Sequence, residues 1–144
     1  MFASEFNHTI DDKGRLTLPA RFRTELAAGV TVTRGIERCL FIYPKDEWKK
    51  LADQLTALSI TNKKVRDFRR YLFSGASESE PDKQGRILLP AYLREYANLD
   101  GDAIIVGSGA HLEVWNPALW RETLADLVLN AQETAQMLSD QGIL

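Results

Sequence analysis

The chain is short of the residues that staple or arm a protein: one cysteine, Cys39, and two histidines, His8 and His111, in 144 residues. A single thiol excludes an intramolecular disulfide and the usual multi-cysteine zinc sites, and it fits a reducing compartment. Neither histidine stands in a ligand spacing with Cys39 or with paired carboxylates, so no metal site is expected. No apolar run approaches the ~20 residues of a membrane span, and no charged-then-apolar leader follows Met1. These absences point to a soluble cytoplasmic protein.

Catalytic machinery is also missing. Gly107-Ser108-Gly109 is glycine-rich, yet no Gly-Lys-Ser/Thr follows it and no strand-to-helix nucleotide fingerprint surrounds it; it reads as a hairpin turn. Cys39 lies in an apolar run and reads as core, as do Trp48 and Trp120 on helical apolar stripes. Asp11 and Asp82 form a general-acid pair only if their two turns meet, and no third group is present to tune them. No enzyme, no cofactor and no small-molecule substrate are expected.

Excess positive charge is lacking overall: the net charge is −2. Its distribution is uneven. Residues 1–74 hold 14 Lys/Arg against 9 Asp/Glu, whereas residues 75–144 hold 4 against 11. One basic half that meets an acidic partner, joined to an acidic half with another task, is the simplest reading.

What the chain does contain is a repeat. Asp11-Asp12-Lys13-Gly14-Arg15-Leu16-Thr17-Leu18-Pro19-Ala20-Arg21-Phe22-Arg23 returns, without a gap, as Asp82-Lys83-Gln84-Gly85-Arg86-Ile87-Leu88-Leu89-Pro90-Ala91-Tyr92-Leu93-Arg94, with seven identities in thirteen positions. The chain therefore divides into two halves built alike, 1–74 and 75–144. A half of that size buries only ~60% of the surface its unfolded chain exposes, so the halves are expected to pack together or to oligomerise.

In each copy the Asp begins a turn, the Gly supplies positive φ, and a four-residue strand follows, Arg15–Leu18 or Arg86–Leu89. Leu16 and Leu18 share one face of that strand, so Arg15 points away from the core. Pro19 suits the first position of a helix over Ala20–Ala28, and a short helix likewise opens at Pro90. Val30–Thr33 with Cys39–Tyr43, and Ala103–Val106 with Leu112–Trp115, read as hairpins. Pro44 opens a helix carrying Trp48, Leu51, Leu55 and Leu58, and Pro117 opens one carrying Leu119, Trp120, Leu124, Leu127 and Val128. Asn62 to about Phe73 is a connecting helix with Lys63, Arg66 and Arg70 on one side, followed by an extended Phe73–Glu80. From Asn130 the chain is polar and either extends the last helix or frays.

The repeated Asp-x-x-x-Arg across a Gly turn has two readings. Asp11 with Arg15, and Asp82 with Arg86, hold the turns rigid; or the two guanidiniums are displayed for a ligand, such as guanine or phosphate in a DNA groove. Both hold together if the Asp aims the Arg.

The motif Asp-x-x-Gly-Arg-[Leu/Ile]-x-Leu-Pro-Ala-x-[Phe/Leu]-Arg resembles the AbrB-type swapped-hairpin DNA-binding modules. The tandem pair, with Thr33-Arg34-Gly35 leading to Cys39-Leu40-Phe41-Ile42-Tyr43-Pro44, resembles the MraZ family from residue 1 to about 130. The resemblance implies an α+β fold in which two AbrB-like swapped-hairpin modules combine into a small β-barrel with flanking helices, assembled as a ring-shaped homo-oligomer. It implies a nucleoid-associated transcriptional regulator that binds repeated boxes of double-stranded DNA ahead of the bacterial division and cell-wall gene cluster. The DNA contacts carry over onto Arg15 and Arg86, with Lys13 and Lys83 beside them, and onto Arg23 and Arg94. Asp11, Gly14, Asp82 and Gly85 orient the turns. Lys13-Gly14-Arg15 becomes Gln84-Gly85-Arg86, and Arg21 becomes Tyr92, so the first module is expected to contribute more. The rival reading is an oligomeric protein-interaction or antitoxin-like module whose basic half grips an acidic protein; RNA binding lacks exposed aromatic ladders.

Overall fold

The computed structural model describes residues 1–144 and shows an α+β fold. Strand β1 (Glu5–Thr9) leads through the first turn to β2 (Arg15–Thr17). A 3-10 turn (Ala20–Phe22) and helix α1 (Arg23–Leu26) follow, then the hairpin β3 (Val30–Arg34) and β4 (Leu40–Pro44). Helices α2 (Lys45–Thr56) and α3 (Lys63–Ser74) connect to the second half. That half runs β5 (Ser77–Ser79), β6 (Arg86–Leu88), α4 (Ala91–Tyr96), β7 (Asp102–Gly107), β8 (Leu112–Trp115) and α5 (Pro117–Asp140).

Six strands form one antiparallel sheet in the order β1-β7-β8-β4-β3-β5, and β2 pairs with β6 in a separate two-stranded ribbon. Only the hairpins β3–β4 and β7–β8 stay within one half; β1–β7, β3–β5, β4–β8 and β2–β6 all cross from one half to the other. The thin core of each half is completed by the other. A 19-residue apolar cluster joins Leu16, Leu18, Leu26 and Ile42 of the first half to Ile87, Leu89, Leu93 and Ile105 of the second. Cys39, Phe41, Tyr43, Ile104, Trp115 and Trp120 pack on the other side of the sheet, with Trp48, Leu51 and Leu119 against them. β4 is buried along its whole length because both of its faces are covered.

The structure departs from the sequence reading at helix starts. Pro19, Pro44 and Pro90 hold ψ of 133°, 152° and 150° and sit in the cap position, one residue before their helices. Only Pro117 is inside its helix, because Asn116 takes the cap and accepts from Ala118 N and Leu119 N. The expected helix over Ala20–Ala28 is a 3-10 turn followed by four α residues, long enough to bury Phe22 and Leu26 and no more. Phe73, the residue at which the connecting helix was expected to give way to an extended run, lies in α3, which continues to Ser74, and packs edge-on against Trp48. The polar tail continues α5 to Asp140.

Burial along the ribbon alternates with a period of two: Ile87 is 1% exposed and its neighbour Leu88 is 51% exposed. Ile87→Ala is therefore expected to destabilise by about 2–5 kcal/mol, whereas Leu88→Ala changes stability by less than about 0.5 kcal/mol in urea unfolding.

Candidate nucleic-acid interface

The two copies of the repeated motif lie against each other. β2 and β6 are antiparallel with Leu16 opposite Ile87, so the ribbon has an internal two-fold character. Leu18 N donates to Gly85 O (2.9 Å), and Leu89 N donates to Gly14 O (2.8 Å). Each strand is thus hydrogen-bonded to the turn that precedes the other.

Each turn is built by its aspartate. Asp11 Oδ1 accepts from Lys13 N (3.0 Å) and Arg15 N (2.9 Å), and Asp11 Oδ2 accepts from Arg15 Nε (2.8 Å). In the second copy Asp82 Oδ1 accepts from Gln84 N and Arg86 N (both 2.9 Å), and Asp82 Oδ2 accepts from Arg86 Nε (2.8 Å). The carboxylates of both are held below their ordinary value of 3.8, first by the backbone N–H of Arg15 or Arg86 and further by that arginine's guanidinium. The turns also touch: Arg86 Nη1 is 3.8 Å from Asp11 Oδ2. The two aspartates do come near one another, but each is tied to an arginine and depressed, the opposite of what a general acid at neutral pH requires.

Arg15 and Arg86 are partly exposed and fixed at Nε, and Arg15 Nη1 and Nη2 have no protein partner. Lys13 and Lys83 are exposed at the turn tips. Arg23 and Arg94, expected one helix on from their own turns, each reach the other half's turn. The Arg94 guanidinium lies over Gly14 and donates through Nε to Leu89 O (3.0 Å); the Arg23 guanidinium lies over Gly85. Gly14 and Gly85 have φ of +82° and +74°; a Cβ at Gly85 would collide with the Arg23 side chain, and one at Gly14 would be tight against Arg94 and Leu89 O. The ribbon therefore gathers six cations, Lys13, Arg15, Arg23, Lys83, Arg86 and Arg94, against three carboxylates, Asp11, Asp12 and Asp82.

This cross-half exchange escaped the sequence reading, although its signal is present: Arg23 and Arg94 recur at the same offset from the glycine in both copies. Arg21 was also passed over as a site residue. It is exposed and stacks over Phe6 and Phe22, 5.9 and 5.6 Å from their ring centroids, which holds a further cation beside the first copy.

The family model described as "MraZ protein, putative antitoxin-like" matches residues 1–71 and again residues 72–140. The chain is 56% identical over 122 residues to the transcriptional regulator MraZ of Desulfitobacterium hafniense (strain Y51), covering 85% of each chain. It is 47% identical over 140 residues to the transcriptional regulator MraZ of Heliobacterium modesticaldum, covering 97% of this chain and 98% of the relative. The same named protein of Alkaliphilus oremlandii is 47% identical over 143 residues, 99% and 100% of the two chains.

The depressed carboxylates couple the turns to pH. A folded-state pKa below the unfolded value contributes stability that is present above about pH 4 and is lost as pH falls through the folded value. Melting temperature should accordingly drop below pH 4, and Asp11→Asn with Asp82→Asn should start lower at pH 7 and show a shallower acid limb than the parent chain.

Proposed function

The chain belongs to the MraZ family, and from that premise we propose that it is a transcriptional regulator that reads double-stranded DNA with the paired turns of the β2–β6 ribbon. The observation that carries this reading is the pair Arg15 and Arg86, each anchored at Nε by its own aspartate, with both outer nitrogens of Arg15 free of protein partners and Arg86 Nη1 3.8 Å from Asp11 Oδ2. An arginine fixed in this way loses little freedom on binding, and its Nη fork matches guanine or a phosphate. Lys13, Lys83, Arg23 and Arg94 supply phosphate contacts around the fork, and Asp11, Gly14, Asp82 and Gly85 orient the turns. The relatives are named as transcriptional regulators, not as enzymes.

We extend the reading to the finer points that the family resemblance implies. The halves 1–74 and 75–144 are two modules whose hairpins close a small β-barrel, with the ribbon as the closing element. In support, Ile10 of the segment after β1 bridges to Leu16, and Leu88 N donates to Ser79 Oγ at the end of β5. The targets are repeated boxes ahead of the division and cell-wall gene cluster, and the protein works on the nucleoid in the cytoplasm. The first copy leads in affinity. Its Arg21 and Lys13 are exposed, whereas Tyr92, which replaces Arg21, donates to Gly75 O.

A ring-shaped homo-oligomer completes the picture, since several weak ribbons on matched boxes gain effective concentration. On α5, Leu127, Val128 and Leu129 are 54%, 70% and 79% exposed, an apolar stretch suited to a second copy. The basic α3, with Lys63, Lys64, Arg66, Arg69 and Arg70, complements Glu122, Asp126 and Glu133 of that helix. The same basic helix favours the rival reading, an antitoxin-like module holding an acidic protein. A stoichiometric protein partner in a pull-down, with no preference for upstream over random DNA, would decide for that rival.

Arg15→Ala should weaken binding to the DNA upstream of the chain's own gene by about tenfold or more while leaving the oligomer intact. With ~4–6 phosphates neutralised per engaged unit, log K should fall against log salt with a slope of about −0.9 for each phosphate. Unchanged affinity in either experiment removes the ribbon from the DNA surface. Val128→Glu with Leu129→Glu should reduce the particle mass in light scattering without altering the circular dichroism spectrum, apart from any change at the end of α5.

A further inference from the structure

The outward face of the ribbon carries two side chains that have so far been given no task, Thr17 and Leu88. Directly opposite residues of an antiparallel pair share a face, as do residues two apart along a strand. In the β2–β6 register Arg15 stands opposite Leu88 and Thr17 opposite Arg86, so these four make one face, and Leu16 and Ile87, 0% and 1% exposed, make the other. Each arginine therefore has an uncharged neighbour across the ribbon: leucine beside Arg15, threonine beside Arg86. Leu88 is 51% exposed. A single exposed leucine is ordinary on most surfaces. This one is set by the backbone ladder beside an arginine whose outer nitrogens have no protein partner, and the core makes little use of it.

We propose that Leu88 is a specificity-determining residue of the DNA surface, making an apolar contact with the C5-methyl group of a thymine in the major groove, beside the position held by the Arg15 fork. The inference rests on the ribbon reading of DNA put forward above. A two-stranded ribbon fits the major groove, where its outward side chains meet the base edges. The thymine methyl is the one apolar group that those edges present, so a leucine has a single matching base there. Against any other edge it dries a donor or an acceptor without pairing it. Cβ atoms of opposite residues stand about 4.5–5.5 Å apart and successive bases of a strand about 3.4 Å, so Arg15 and Leu88 reach bases one or two steps apart. Thr17 holds the place of Leu88 in the first copy of the motif. It brings a hydroxyl beside its methyl and accepts more than one base edge. The two ends of the ribbon, alike in backbone, thus read unequal steps.

The test is methyl deletion in the DNA that the full chain protects upstream of its own gene. Thymines are replaced position by position, at the equivalent place in every box, with deoxyuridine, which lacks only the methyl. The expected result is a loss of about three- to fivefold in affinity at one thymine per bound ribbon, the fold-change of one buried methyl group. Leu88→Ala should bind the thymine duplex about as weakly as the parent chain binds the deoxyuridine duplex, and should lose most of the distinction between them. An unchanged melting temperature for that variant separates the effect from unfolding. Insensitivity of the parent chain at every thymine overturns the proposal, and so does discrimination retained in full by Leu88→Ala. Arg15→Ala tells the two claims apart. Where it weakens binding and methyl deletion does not, Leu88 alone leaves the site; where neither changes the affinity, the ribbon reading fails and this inference falls with it.

Discussion

The reciprocal hydrogen bonds Leu18 N to Gly85 O and Leu89 N to Gly14 O are the constraint on which the rest depends. Each requires a glycine in the left-handed region, with its carbonyl turned toward the opposite strand and its bare Cα leaving room for an arginine. Because both bonds have the same form, the interface is self-complementary in the manner of a two-fold dimer, but both partners belong to one chain. That geometry explains why the motif is written twice. A single copy would present a strand with unpaired backbone groups and a leucine face with nothing to cover it.

The pairing also changes the meaning of the charge split. Along the sequence, the first half is basic and the second acidic; in space, the most cationic turn of each half sits beside the other, and Arg23 and Arg94 change places across the ribbon. Net charge and its division by residue number therefore describe the surface poorly. Of the acidic residues of the second half, Asp82 alone lies in the ribbon's turns, and Glu122, Asp126, Glu133 and Asp140 are all on α5. Screening over about 8–10 Å at physiological salt makes the local excess the quantity that a polyanion meets.

Much of the site was legible because it is local. Asp-x-x-Gly-Arg specifies its own turn through bonds spanning two to four residues, and the alternation in Arg15–Leu18 fixes which side chains face outward. What could not be read is what depends on register between distant strands. No pattern in one strand says that β1 pairs with β7 or that β3 pairs with β5, so the interleaving of halves was visible only as a need for mutual burial. The same blindness hid the approach of Glu113 to Cys39 across β4 and β8. The helix after β2 failed for another reason. A run of good helix formers from Ala20 to Ala28 was stopped after Leu26, because Phe22 and Leu26 had already reached the core and Gly29 had to turn toward β3.

The two copies are alike in backbone and unlike in how their side chains are employed. In the second, Tyr92 donates to Gly75 O and Arg94 donates to Leu89 O while its guanidinium lies over Gly14 of the first copy, so both side chains at the helix after β6 are tied by hydrogen bonds. In the first, Arg21 lies over two aromatic rings, a contact that leaves all of its N–H donors available, and no side-chain hydrogen bond restrains Arg23. A duplicated device under one demand would keep both copies the same. Divergence of this kind leaves more unrestrained charge at the first copy, where Arg21 and Arg23 make no side-chain hydrogen bond, than at the corresponding positions of the second. Such an arrangement costs little stability. Residues directed inward already have partners, and those directed outward, being solvated, need none until a ligand replaces water.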